Sequence, residues 1–113
     1  MPESFERGAL TEAVYYILLS VHKPMHGYGI MQNIEELTRG RVILGAGTLY
    51  GALNTLSERQ WIAIHGEEQN KRKKEYLITE LGKRVFVAEL DRLQELLENA
   101  KKIEEVESYD ESY

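Results

Sequence analysis

The stretch that decides how this chain reads is Gly45 to Gln60, GAGTLYGALNTLSERQ. Leu49, Leu53 and Leu56 recur at helical spacing with Ala52 beside them, so Gly45-Ala46-Gly47-Thr48 opens a helix that runs to about Gln60 and turns a leucine seam inward. At about 100° per residue, Gly51, Asn54 and Glu58 then lie on the opposite side, flanked by Tyr50 and Thr55. Asn can pair with the edge of adenine, Thr and Tyr hydroxyls reach phosphate or base, and a glycine lets the backbone come close. Free N–H groups at Gly47 and Thr48 suit a phosphate. The outward face is thus either a DNA-reading surface or an ordinary solvated helix face. Glu58 is discordant, since it lies about 15 Å along the axis from Thr48 and outside a groove entered by the helix N-terminus.

Working outward, Leu10, Val14, Ile17, Leu18 and Val21 give a helical stripe that Ala13 widens and Lys23-Pro24 ends. A second helix spans about Gly27 to Thr38 with Ile30, Ile34 and Leu37 on one side. Arg39-Gly40 stops it, and Arg41 to Leu44 is a short extended piece. On the other side of the central stretch, Trp61 to His65 and Glu75 to Thr79 alternate as strands of a hairpin with a charged tip. Lys71, Arg72, Lys73 and Lys74 are consecutive there, so they project on both faces and suit phosphates or a minor groove. Thr79 caps a last helix, but Gly82 three residues on leaves no capping box. Phe86, Leu90, Leu93, Leu97 and Ala100 keep a 4-3-4-3 rhythm that Ile103 and Val106 extend and Leu96 widens. Such a helix is too long and too apolar for so small a body, and its seam calls for a second helix, most simply from a twin subunit.

The expected fold is therefore mainly α with a small β-hairpin: a winged helix-turn-helix DNA-binding domain over 1–80, a dimerisation helix over 81–107 packing with the first helix, and an acidic flexible tail over 108–113. His26-Gly27-Tyr28-Gly29-Ile30 opens the second helix; Tyr28 either touches a phosphate or packs under the corner between the first two helices.

Composition limits the alternatives. The chain has 113 residues and no Cys, which excludes disulfides, thiolate metal ligands and a Cys nucleophile. His22, His26 and His65 form no helical i, i+4 pair and no Asp or Glu cluster accompanies them at metal-ligand spacing, no nucleophile elbow or paired-carboxylate arrangement stands out, and neither metal, cofactor nor catalytic site is expected. No membrane span or secretory signal is visible, so a cytoplasmic protein is expected. The net charge of -5 comes entirely from Glu104, Glu105, Glu107, Asp110 and Glu111, which leaves a neutral body with four of its 14 basic residues concentrated at one tip.

His26-Gly27-Tyr28-Gly29-Ile30, Gly47-Thr48-Leu49-Tyr50 followed by Leu53 and Leu56, and the basic wing leading into Tyr76, Thr79 and Leu81-Gly82 resemble the PadR family of bacterial transcriptional regulators, from about residue 8 to 105. The resemblance implies a homodimeric winged helix that binds a pseudo-palindromic operator in double-stranded DNA, usually as a repressor. In some members phenolic acids or planar cationic drugs release the DNA. Carried over by position, Thr48, Tyr50 and Asn54 lie on the recognition helix, Tyr28 near its partner helix, and Arg72, Lys73 and Lys74 on the wing. The dimer interface is implied at Leu10, Val14, Phe86, Leu90, Leu93, Leu97, Ala100 and Ile103. Gly45, Gln60 and Glu75 depart from the family pattern, and Glu75 sets a negative charge beside the wing. The last helix has no Trp or Tyr between Lys83 and Ser108. A small aromatic effector therefore has one candidate pocket, lined by Tyr15, Tyr16, Phe86, Leu90 and Leu93, and plain dimer core is the alternative for that stripe. The rival function is a winged-helix protein–protein adaptor that uses the acidic tail as its contact.

Overall fold

The computed structural model describes residues 9–66 and 73–103. Local capping sets the element boundaries. Thr11 Oγ1 accepts the Val14 N–H at 3.1 Å and starts α1 (Glu12–Ser20). His26 closes the two-residue strand β1 (Met25–His26), and its Nδ1 accepts the Gly29 N–H at 3.1 Å to start α2 (Gly27–Leu37). Gly45 caps α3 (Ala46–Glu58) through backbone alone. Thr79 Oγ1 accepts the Gly82 N–H at 3.0 Å at the head of α4 (Glu80–Lys101), as its position in the sequence implies.

Between α3 and α4 lie β2 (Ile62–His65) and β3 (Glu75–Ile78). The sheet is antiparallel in the order β1-β3-β2, so the expected hairpin gains a third strand where Met25 pairs with Tyr76 and His26 with Glu75. Ile62 pairs with Ile78 on the inner face, and Ile64 pairs with Tyr76 but is itself exposed. Glu75 and Leu77 consequently point outward.

The core joins Ile17, Leu18 and Val21 of α1, Ile30 and Ile34 of α2, and Leu49, Leu53 and Leu56 of α3 to Trp61, Ile62, Tyr76 and Ile78 around the sheet. At the head of α4, a Cβ on Gly82 would stand 2.1 Å from the Trp61 carbonyl oxygen, so only glycine lets the helix approach the strand this closely. The architecture is a winged helix-turn-helix with a long C-terminal helix.

Arg41 to Leu44 runs outside any helix or strand, with Val42 and Leu44 packed against the core and Ile43 exposed. Two expectations change. Leu37 is exposed, because α2 ends there and the chain turns away through Arg39 and Gly40, both at positive φ. Phe86 is buried within its own chain, stacked on Tyr15 with ring centroids 5.1 Å apart and edge-on to His22 at 4.9 Å, so it is not a free interface side chain. Tyr15 also meets Tyr16 edge-on at 5.3 Å. Val106 and the tail beyond it lie outside the described residues.

Candidate nucleic-acid interface

The leucine seam of α3 is wholly inside, which leaves Ala46, Gly47, Thr48, Gly51, Asn54, Thr55 and Glu58 exposed along the opposite side. A Cβ added at Gly45, Gly47 or Gly51 would meet nothing within 4 Å. The first two turns of α3 therefore present a narrow surface of small residues, with the N-terminal N–H groups uncapped by any side chain of Gly45. Thr55 Oγ1 donates to the Gly51 carbonyl at 3.2 Å, so its hydroxyl turns lone pairs outward and offers an acceptor. Asn54 supplies both donor and acceptor.

Tyr50 departs from the outward face assigned to it. It is half-buried against the core, and its ring lies at the start of α2. Tyr28, by contrast, is 62% exposed beside that same helix start and is not packed under the corner between the first two helices.

The wing brings further groups to this side. Lys73 is exposed and Lys74 half-buried where the chain enters β3; Lys71 and Arg72 lie outside the described residues. The sheet register places Glu75 between His26 on β1 and His65 on β2, in one cross-strand row on the outer face. By sequence both histidines are packing or solvent residues; the short β1, too brief to register locally, brings His26 beside Glu75 of β3.

Away from this surface, Arg41 holds Glu12 through both carboxylate oxygens, with Nη1 at 3.1 Å from Oε1, and ties the segment before α3 to the head of α1. Glu89 is buried and bonded bidentately by Arg92 at 2.8 and 2.7 Å. Beyond that pair Leu90, Leu93, Leu96 and Leu97 of α4 are exposed. Among the described residues no group of three His, Cys, Asp or Glu could hold a metal ion, and no helix is long and apolar enough to cross a membrane.

A helix with an open small-residue face, joined to a basic hairpin, is the arrangement of a DNA reader, and its sequence matches a family model. That model, the transcriptional regulator PadR-like family, covers residues 16–88. The chain belongs to the PadR-like family. A transcriptional regulator of Escherichia coli K12, YqjI, is 34% identical over 82 residues, covering 73% of this chain and 34% of the relative. The chain thus spans about a third of the length of the curated relatives it matches. Among solved structures, a PadR-like transcription factor of Bacteroides fragilis is 26% identical with a TM-score of 0.69, covering 89% of this chain and 96% of the other. A PadR family regulator from Clostridium difficile R20291 shares the fold at 23% identity and TM-score 0.68, covering 81% of this chain and 97% of that one.

Proposed function

We propose that this PadR-like regulator is a homodimeric repressor that lays α3 into the major groove of a pseudo-palindromic operator and sets its wing on the flanking backbone. The exposed small-residue face of α3 beside the wing is the observation that carries this reading. Thr48, Gly51, Asn54 and Thr55 contact the groove, Tyr28 a phosphate at the start of α2, and Lys71, Arg72, Lys73 and Lys74 the backbone or minor groove. Leu93, Leu97, Ala100 and Ile103 join the two subunits, with Leu90 at the edge, Leu10 from the segment ahead of α1 and Val14 from α1 itself. The protein acts in the cytoplasm, where the bacterial chromosome lies. A small aromatic effector would have to part the Tyr15 and Phe86 rings or settle on the exposed Leu90 and Leu93 beside them.

A gel shift on the protein's own promoter, at low and moderate salt, tests the reading. A palindrome-containing fragment should bind better than random DNA, and equal binding of both would overturn the repressor proposal. Lys73→Ala should weaken binding to all sequences and lower the salt slope by about 1. Asn54→Ala should cost about 1–3 kcal/mol at particular base pairs only. A uniform loss for Asn54→Ala across sequences would remove its base-reading role.

A further inference from the structure

The leucines of α3 lie along one line, and a helix held on a single line can still roll about it. A contact away from that line is needed to fix which residues face a groove. Tyr50 supplies one. Its ring projects beside the seam onto the first residue of α2, where a Cβ on Gly27 would stand 2.3 Å from the phenol oxygen, 2.7 Å from Cζ and 3.2 Å from Cε1. Gly27 is itself buried and directly follows β1, whose Met25 pairs with Tyr76 of the sheet. The phenol therefore sits where α2, α3 and the sheet converge. Burial holds the Tyr76 hydroxyl above its ordinary value, and the nearby Tyr50 adds to that shift.

We infer that Tyr50 and Gly27 form a positioning pair that sets the roll of the recognition helix: the Tyr50 ring seated on a residue without a side chain aims Gly51, Asn54 and Thr55 outward. Tyr50 acts on DNA through α3 and not by touching it. This inference rests on the DNA-binding reading of α3.

The pair is tested by fluorescence anisotropy on the DNA fragment the wild-type protein prefers, competed with random DNA, for Y50F, Y50A, G27A and G27A/Y50A. Thermal unfolding and amide exchange are measured on the same free proteins. Y50F keeps the ring and should stay within about twofold of wild type. G27A forces the ring out and should lower the ratio of preferred to random affinity about tenfold, with binding to random DNA kept. Y50A should lower the ratio similarly, and the double variant should be no worse than Y50A alone, because the clash in G27A requires the ring.

A loss for Y50F as large as for Y50A would show a hydroxyl contact with DNA and overturn the inference. Additive losses, or an unchanged ratio in G27A, would overturn it as well. Should G27A not fold, Y50L carries the test, since it keeps apolar volume but lacks the reach to Gly27: a reduced ratio supports the inference and an unchanged one overturns it. Failure of the DNA reading itself is separate: wild type would then show no preferred fragment, while amide exchange would still report the pair, faster in α2 and α3 for G27A than for G27A/Y50A. Equal exchange in those two variants would overturn it without DNA.

Discussion

The helices α3 and α4 carry leucine seams of the same kind, yet the chain covers one and leaves most of the other bare. Leu49, Leu53 and Leu56 are buried, whereas Leu90, Leu93, Leu96 and Leu97 stand 40–52% exposed. In α4 the first turns are enclosed through Gly82 and Phe86, and cover ends at the Glu89–Arg92 pair. The difference teaches that helical periodicity records a demand for burial without recording who meets it. In α3 the demand is met within the chain. In the outer half of α4 it is not: these leucines are already about half covered, so burying the remainder would contribute about 0.7–1.5 kcal/mol each.

The largest expected effect breaks the enclosed seam. Leu53→Ala removes a side chain with no exposure at all and should cost about 2–5 kcal/mol. Against a stability of about 5–15 kcal/mol for a domain, that is a large fraction of the total. Urea denaturation followed by circular dichroism checks it, and a loss under about 1 kcal/mol would mean that α3 is held by something other than its leucines.

The bare seam should respond in the opposite way. Leu93→Glu with Leu97→Glu places charges where only a partner would bury them, so the far-ultraviolet spectrum should be kept while the proposed dimer is lost. Two leucines in each of two subunits, at about 0.7–1.5 kcal/mol apiece, predict a dissociation constant raised at least about a hundredfold, read by sedimentation across a concentration series. An unchanged association constant would place the subunit contact elsewhere.

What was legible in the sequence follows the same division. Seams, caps and turns are local, and the periodicity of Leu49, Leu53 and Leu56, the hydroxyl of Thr79 and the Lys23-Pro24 stop each point to what the fold contains. Contacts between distant segments left no local mark. Met25 and His26 are too few to register as a strand until β3 pairs with them. Phe86 fits the rhythm of the bare seam, but Tyr15 and His22 reach it first. Tyr50 lies at the boundary between the two faces of α3, where rotation by one residue decides inward or outward, and a glycine in α2 decides it. Glu89 reads as an ordinary charge on a helix, and its burial depends on packing that no periodicity encodes.

The smallest expected effect concerns the enclosed side of the comparison, where Arg41 fastens the segment leading into α3 to the head of α1. The hydrogen bond from Arg41 holds the Glu12 carboxyl below its ordinary value of 4.5, against a smaller opposing effect of desolvation. A folded value below the unfolded one means that the unfolded chain takes up its proton first as the pH drops. The pair therefore contributes stability above the ordinary carboxylate value and loses it as the pH falls through the lower folded one. Both groups are exposed, so water and salt screen the attraction and the effect is slight. Thermal midpoints of wild type and Arg41→Gln should differ at neutral pH in low salt, and the gap should close well below the carboxylate range. A gap of equal size at both pH values would show that the Arg41 stem holds the segment by packing, with its charge incidental.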